Sequence, residues 1–318
     1  MYKGGWMEEE IIRAGMEEIR RTSRIFGDDG GAFRIANQWI VITNDMLVES
    51  TDIIKEMKPE DVGFKAVTMN VSDLVAMGAK PLYFAFSIAL SENRIDKARS
   101  YFKGIAKAMD FYSMKMISAD TNSAKELIID GMAVGIAEKL LLRRNAKTGQ
   151  AVCVTGDLGK VMSALLISLR GMDADDGVKK SLFEKILRPK ARVDVIDGLS
   201  KFSDCAIDVS DGLVKELTEI SKASKCGIAV DPESIPVERE VLEFCELNSL
   251  DPVEVAINSG EEYEIVFTAD KDRLELIEFD FTVIGEVFDG EGVWLKEDSG
   301  LKKVRDSSWQ HFSDNWII

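Results

Sequence analysis

The stretch PEDVGFKAVTMNVSDLVAMGA at residues 59–79 is mostly apolar and sets the fold expected of the N-terminal half. Pro59 suits the first turn of a helix, where its missing N–H has no consequence, so we predict a helix that begins there. Asp73 lies inside the apolar part, where an unpaired carboxylate is costly to bury. That cost makes Asp73 a candidate functional residue.

Strand and helix patterns flank this helix on both sides. Residues 7–22 repeat apolar side chains at helical spacing, with acidic residues early and basic residues late, which is typical of an amphipathic helix. A second amphipathic helix is predicted at 94–113. Apolar runs predict strands at 32–36, 38–45, 82–90, 115–120 and 126–138.

The basic, turn-rich stretch RRNAKTGQ at 143–150 separates this half from the next. We place the domain boundary near residue 145, which gives one domain at 1–144 and a second at 145–318. The second half repeats the mixture, with helix patterns at 161–169 and 213–224 and strand patterns at 151–156, 204–212, 227–231, 264–269 and 281–288. Both halves mix helices and strands, which indicates an α+β fold.

Charge limits the partners of the chain. The 318 residues include 56 acidic and 40 basic side chains, so the formal net charge is −16. A chain this acidic repels phosphate backbones, so we expect no nucleic-acid partner. It also repels a nucleotide, unless divalent cations intervene.

Several classes of protein are excluded. No apolar run reaches the ~18 residues of a membrane span, and the N-terminus has no secretory pattern, so we expect no membrane association and a cytoplasmic location. The four cysteines show no CxxC spacing, which argues against zinc and thioredoxin-like chemistry. The single histidine, His311, makes a histidine-based triad or metal site hard to build.

Aspartates recur at the ends of apolar strands or beside glycine turns. Carboxylate oxygens are ligands that Mg²⁺ prefers, and strand ends can bring such groups together at one sheet edge. For any one aspartate, an ordinary role in a turn or a helix cap is about as probable as metal binding. The residues concerned are Asp28, Asp29, Asp45, Asp73, Asp120, Asp208 and Asp211.

Common nucleotide motifs are missing from the sequence. The segment GDLGK at 156–160 has the wrong spacing for a phosphate-binding P-loop, and no GxGxxG follows a strand. If ATP binds, aspartate-held Mg²⁺ must neutralise much of its phosphate charge. Lys65 and Arg143 are candidate helpers, although each is more simply explained as a solvated surface charge.

Eight segments, read in order, resemble the thiamine-monophosphate kinase family, which belongs with aminoimidazole ribonucleotide synthetase and selenophosphate synthetase. They span residues 25 to 312. The combination of the 64–81 segment with SDGL and SGEEYE is the most specific part. The segments are GDDG (27–30), TNDMLVES (43–50), FKAVTMNVSDLVAMGAKP (64–81), ISADTNS (117–123), AIDVSDGL (206–213), NSGEEYEIVF (258–267), IGEV (284–287) and the C-terminal WQHF.

The resemblance implies a fold, a reaction and an assembly. The fold would be a two-domain ATP-binding fold like that of aminoimidazole ribonucleotide synthetase. The reaction would transfer the γ-phosphoryl group of ATP to thiamine monophosphate, with several Mg²⁺ ions as cofactors. Two copies would form a homodimer in which the N-terminal halves pair their sheets.

The resemblance also implies roles for individual residues. Three aspartates would be catalytic: Asp73, Asp120 and Asp208. The Mg²⁺ ligands would be Asp29, Thr43, Asn44, Asp45, Asp73, Asp120, Asp208 and Asp211. The ATP contacts would be Phe102, Asp120, Thr121, Arg143 and Ser210. The acceptor contacts would be Asp52, which stands where the family has a histidine, Glu261 and Trp309.

Two alternatives differ in chemistry. A synthetase of the same superfamily would activate an amide or formyl oxygen of another small metabolite as a phosphate. A catalytically silent paralogue would bind nucleotide without turnover; the retained carboxylates argue against it, because clustered charges are costly to keep.

Overall fold

The structure, a computed structural model, describes residues 28–298 and 300–304. Its strands form two sheets, one from each half of the chain. In chain order the strands are β1 (Gly31–Ile35), β2 (Gln38–Val48), β3 (Lys80–Leu90), β4 (Lys115–Ser123), β5 (Ile128–Ala137), β6 (Ala151–Val154), β7 (Ser203–Asp208), β8 (Gly227–Val230), β9 (Ile265–Ala269), β10 (Thr282–Phe288), β11 (Gly292–Glu297) and β12 (Gly300–Lys303).

Helices pack on these sheets, and short 3₁₀ turns join several of the elements. In chain order the α-helices are α1 (Glu49–Asp52), α2 (Pro59–Ala76), α3 (Ala98–Phe111), α4 (Lys160–Arg170), α5 (Asp176–Leu187), α6 (Ile196–Phe202), α7 (Leu213–Ser224), α8 (Arg239–Asn248) and α9 (Pro252–Ile257).

The N-terminal sheet has the order β1-β2-β5-β3-β4 and two unlike faces. Its inner face packs on α2, so side chains along β5 alternate between buried and half-buried. The outer face is apolar but open. It exposes Phe33, Ile35, Met46 and Tyr83. The cross-strand partner of each of these residues also lies on the outer face.

Helices α2 and α3 cross at very short range because glycines face the contact. A Cβ added to Gly104 would lie 2.0 Å from the Glu60 carbonyl oxygen, and one added to Gly63 would lie 2.1 Å from the Tyr101 carbonyl oxygen. Only glycine permits this approach. The close crossing fixes α2, the helix that carries Asp73, against the rest of the N-terminal half.

We expect Gly104→Ala to destabilise the protein by about 3 kcal/mol or more, because the new methyl group overlaps a backbone oxygen that cannot move aside. Chemical denaturation gives the free energy of unfolding. The matched control is Gly177→Ala in α5, where nothing lies within 4 Å of the new Cβ. Equal stability of the two variants would contradict the packing argument.

The C-terminal sheet has the order β12-β11-β8-β10-β6-β9-β7. Its central strands are buried along their whole length, which explains why they read as continuous apolar runs. At one edge, β7 ends at Asp208 and the chain turns through Ser210 and Asp211 before α7. The predicted strand at 204–212 therefore extends four residues too far at its C-terminal end.

Other boundaries also differ from prediction. The helix predicted at 94–113 begins as a 3₁₀ turn at Glu92–Lys97 and becomes α-helical at Ala98. The elements that were not predicted are α1, α5, α6, α8, α9, β11 and β12. The predicted helix at 7–22 lies outside the described residues, as does Trp309. Among the residues described, no helix is both long enough and apolar enough to cross a membrane.

Candidate active site

Three carboxylates meet where the two halves of the chain face each other. Asp29 precedes β1, Asp73 lies on α2, and Asp208 ends β7. One carboxylate oxygen from each lies within 4.8 Å of the others. The sequence predicted that aspartates from distant segments would gather, and these three do so.

The cluster is strongly self-repelling. Burial holds the pKa of Asp73 well above its usual 3.8, and the charges of Asp45 and Asp208 raise it further. Burial and the charge of Asp29 raise the pKa of Asp208 to about 8, although the Ser72 hydroxyl donates a hydrogen bond of 2.6 Å to its Oδ2. Without a cation, the protein therefore favours protons on this cluster.

Two oxygens of the cluster lack a protein partner. Among the described atoms, Asp29 Oδ2 and Asp208 Oδ1 are buried and receive no hydrogen bond. Buried polar atoms are rarely left in this state. A set of hard carboxylate oxygens with unused lone pairs fits Mg²⁺.

Arg143, one of the two cations predicted to help bind ATP, contacts this cluster. Its guanidinium forms an ion pair with Asp29, and its backbone N–H donates to Asp28 Oδ1 at 2.7 Å. The guanidinium Nε is buried and unpartnered among described atoms. Arg143 is thus not the solvated surface charge that composition alone would suggest.

Strand β2 brings neighbouring candidates to opposite faces. Asp45 lies on the inner face, and its charge acts on both Asp73 and Asp208, so it borders the cluster. The Thr43 hydroxyl is buried and donates to the Asn70 carbonyl at 2.9 Å.

Asn44 points to the other side of the sheet from these two. Its amide donates to Asp130 Oδ1 at 3.1 Å and to the Gly131 carbonyl at 2.6 Å. Asn44 is therefore separated from the buried cluster within one chain.

Asp120 also lies on the outer face. Its register places it beside Ser87, which pairs in turn with Asp130, opposite the exposed Met46. Residues in one such row point to the same side of a sheet. The structure therefore does not bring Asp120 together with the inner carboxylates of the same chain.

Two other predicted nucleotide contacts lie on the inner side of the N-terminal sheet, close to its edge strand β4. Thr121 follows Asp120, so its register with the buried Ile88 directs it inward. Phe102, on α3, is partly exposed, and its ring centroid lies 5.9 Å from that of Phe86. The two residues border the open end of β4.

The Ser210–Asp211 turn is held by a residue that the sequence analysis missed. Glu216 is buried on the first turn of α7 and accepts the Asp211 backbone N–H at 2.9 Å and the Ser210 hydroxyl at 3.4 Å. Asp211 itself forms an ion pair with Lys215. The available signal was an acidic residue in the first turn of the predicted helix, where negative charge is favourable.

The predicted acceptor residues are linked by Lys65. Its ammonium lies 2.6 and 2.7 Å from the two carboxylate oxygens of Glu261 and donates to the Asp52 carbonyl at 2.9 Å. The Asp52 carboxylate turns back on its own segment and accepts the Val48 N–H at 2.6 Å.

Tyr263 is a second residue that sequence reasoning missed. It is buried, and burial together with the charges of Glu261 and Asp45 raises the pKa of its phenol well above the usual range. The charges of Asp208 and Asp52 act in the same direction. The Tyr263 N–H donates to the carbonyl of Val209, the neighbour of Asp208, at 2.9 Å, and Tyr263 follows Glu261 by two positions, so it connects the acidic cluster with the predicted acceptor residues.

Two family models match the chain: AIR synthase related protein, N-terminal domain, over residues 27–137, and AIR synthase related protein, C-terminal domain, over residues 147–296. The fold and the acidic cleft accordingly define an AIR synthase-related protein, and the predicted two-domain α+β fold is confirmed. Relatives at 42–46% identity that match 96% of the chain show that, within this class, it belongs to the thiamine-monophosphate kinase family, as its motifs predicted.

Individual relatives support this assignment. The thiamine-monophosphate kinase of Pyrococcus horikoshii is 46% identical over 305 residues, which is 96% of each chain. That of Pyrococcus abyssi is 42% identical over 307 residues, again 96% of each. The solved structure of AaThiL complexed with AMPPCP and TMP superposes with a TM-score of 0.90 at 29% identity, covering 98% of this chain and 99% of that one.

Proposed function

We propose that this protein transfers the γ-phosphoryl group of ATP to thiamine monophosphate and produces thiamine diphosphate and ADP. The proposal is carried by one observation: relatives named thiamine-monophosphate kinase match 96% of the chain at up to 46% identity. The related AaThiL complex holds AMPPCP, an ATP analogue, together with TMP. A phosphorylated acceptor and a nucleotide are both anions, so they need bound cations to lie side by side. The clustered carboxylates can hold such cations.

We propose Mg²⁺ as the cofactor, held by Asp29, Asp73 and Asp208 with Asp45 beside them. The fit rests on the carboxylate oxygens within 4.8 Å of one another and on the two that lack a protein partner. When bound, Mg²⁺ offsets the repulsion between two phosphates and the charge that develops during transfer. Thr43, Asn44, Asp120 and Asp211 remain proposed further ligands.

The protein's own residues then bind and orient the substrates. Arg143, fixed by Asp28 and Asp29, supplies a buried positive charge beside the carboxylates. Thr121, Phe102 and Ser210 are the proposed nucleotide contacts.

The acceptor needs positioning more than activation. A phosphate monoester is already a competent nucleophile, so no strong base is required, which fits a chain with one histidine. Glu261 and Asp52 lie on the acceptor side of the cleft, and Trp309 is the proposed third contact.

In the experiment, the purified protein is incubated with ATP, Mg²⁺ and thiamine monophosphate, and the products are measured. We expect thiamine diphosphate and ADP to form in equal amounts. Chelation with EDTA is expected to stop the reaction. ATP binding without product would favour the silent paralogue. ADP formation only with another acceptor would favour a synthetase of the same superfamily. Either result would overturn the proposal.

We also propose a homodimer built on the outer face of the N-terminal sheet. This face exposes Phe33, Ile35, Met46 and Tyr83, and large apolar patches of this kind are rarely left open on a soluble monomer. Asp120 and Asn44 lie on the same face, so a second copy would approach both residues. Dimer formation would therefore matter for the site as well as for stability.

We expect Met46→Lys to weaken this dimer by at least about tenfold, because a charge would be buried at the centre of an apolar interface. Light scattering with size-exclusion chromatography measures the oligomeric state. Leu276→Lys is the matched control, since Leu276 is equally exposed, at 59% against 54%, but lies in the C-terminal half. A Met46→Lys protein that dimerises like the control would exclude this face.

We further propose a cytoplasmic location and a domain boundary near residue 145. The location is supported by four buried, unpaired cysteines, which suit a reducing compartment. The boundary is supported by the two sheets, which use separate stretches on either side of 137–151. No nucleic-acid partner is proposed, because the net charge is −16.

A further inference from the structure

Lys65 is a buried lysine that joins the two halves of the chain. It lies on α2, its side chain is 2% exposed, and its ion pair with Glu261 spans 196 positions in sequence. An ammonium group has three N–H donors. Two Glu261 oxygens and the Asp52 carbonyl provide three acceptors, at 2.6, 2.7 and 2.9 Å. The lysine is therefore fully engaged and fixed in place.

Glu261 is held from its backbone as well. Its N–H donates to the Ser210 carbonyl at 2.7 Å, and its φ of +55° is a left-handed conformation that side-chain-bearing residues rarely adopt. The preceding Gly260 is packed so closely that an added Cβ would lie 2.8 Å from the Ser210 oxygen. Such strain persists only where the surroundings impose it, and it is common at functional sites.

The Glu261 side chain nevertheless remains 29% exposed, although Lys65 contacts both of its carboxylate oxygens, so a ligand can still reach it. Its charge reaches the same buried phenol, Tyr263, that senses Asp45 and Asp208. Its backbone hydrogen bond to Ser210, two residues after Asp208, holds Glu261 close to the carboxylate cluster. An unneutralised Glu261 would add to the repulsion that a phosphorylated acceptor meets in this acidic cleft.

Helix α2 also sets the distance between these two parts of the cleft. Lys65 and Asp73 are separated by eight positions, which corresponds to a rise of about 12 Å along an α-helix. One helix therefore carries Asp73 near its C-terminal end and Lys65, the lysine that fixes Glu261, about two turns earlier.

We propose that Lys65 is a positioning residue for the phosphate acceptor: it neutralises Glu261, fixes its orientation and ties the Asp52 segment to it. This inference rests on the proposed function, since it concerns the acceptor of that reaction. Lys65 acts through Glu261 and touches neither the carboxylate cluster nor, on this proposal, the nucleotide. Its loss should alter acceptor binding and leave ATP binding in place.

The test compares steady-state constants of wild-type protein, Lys65→Met, Glu261→Gln and the double variant, with thiamine monophosphate and ATP varied separately. Loss of a charged hydrogen bond predicts a KM for the acceptor that is higher by about tenfold to a hundredfold in each single variant. The KM for ATP should change by less than about threefold, within the usual effect of a distant substitution. Because both variants break one pair, the double variant should be no worse than Lys65→Met.

The matched control is Lys139→Met. Lys139 also joins the halves, through an ion pair with Asp204 at 2.7 Å and a hydrogen bond to the Ser203 carbonyl at 2.6 Å, but it does so at the opposite end of β7 from Asp208. Lys139→Met should lower the melting temperature without raising the KM for the acceptor. If it raises that KM as Lys65→Met does, a general loss of domain contact explains both and the inference fails.

Other outcomes are equally decisive. Equal losses for ATP and acceptor, or additive effects in the double variant, would overturn the positioning role. If Lys65→Met does not fold, Glu261→Gln carries the test, since its side chain is partly exposed. Wild-type protein that fails to phosphorylate thiamine monophosphate would refute the proposed function, whereas active wild type with an unaffected Glu261→Gln would refute only this inference.

Discussion

Asp73→Asn should lower turnover by about a thousandfold, the upper range for loss of one preorganised electrostatic group, and leave the fold intact. The amide keeps the size of the side chain but removes the charge at the centre of the cluster. In metal-free protein the variant should be as stable as wild type or more so, because burial and three neighbouring carboxylates already disfavour a charge there. Thermal unfolding and steady-state kinetics measure the two effects.

Measurements of thermal stability show whether Asp73→Asn has lost only its metal site or has also damaged the fold. Mg²⁺ should raise the melting temperature of the wild type, and this shift should vanish in Asp73→Asn. Asp197→Asn is the control, since its side chain is 81% exposed and pairs only with Lys80 among described residues. We expect it to retain activity within about twofold. An active Asp73→Asn protein with a normal Mg²⁺ shift would refute the metal role.

The stability of metal-free protein should fall as pH rises from about 4 to about 8. The pKa of Asp208 is about 8 in the folded chain, against 3.8 for an unperturbed aspartate. Between these values the unfolded chain has released its proton while the native chain retains it, so the free energy of unfolding falls as pH rises. One group contributes at most about 1.4 kcal/mol per pH unit, and the effect levels off above the folded pKa.

Chemical denaturation in EDTA across this pH range measures the slope, and Asp208→Asn isolates it. The variant keeps a partner for the Ser72 hydroxyl but has no proton to lose, so its curve should be flatter than that of the wild type. Mg²⁺ should oppose the trend, because it binds the deprotonated carboxylates and stabilises most at high pH. Parallel curves for the two proteins would contradict the raised pKa.

Features that depend on local chemistry were predictable from the sequence. Helix α2 begins at Pro59 as predicted, because proline at the first turn and an unbroken apolar run leave few alternatives. The cost of burying a carboxylate identified Asp73 as a candidate functional residue from the sequence alone. In the structure, Asp29 and Asp208 lie beside it. Family motifs then supplied the reaction, which composition alone could not.

Features that depend on pairing between distant segments were not predictable. Asp120 lies on the outer face because of the register between β3 and β4, which includes an irregularity after Phe84. A shift of one residue reverses a strand's two faces, and no local pattern reveals it. The partner of Lys65 lies 196 positions away, so the residue read as a surface charge. The roles of all the predicted site residues, including those that meet in the cluster, stay predictions.

The placement of Lys65 and Asp73 on a single helix has a consequence for thermal motion. The two halves of a chain can shift against each other by small hinge movements, and such shifts usually change the spacing between groups that come from different halves. Here the spacing is built into one rod, which the glycine crossing with α3 holds firmly. The distance between Asp73 and Lys65 should therefore stay constant when the two halves of the chain shift against each other.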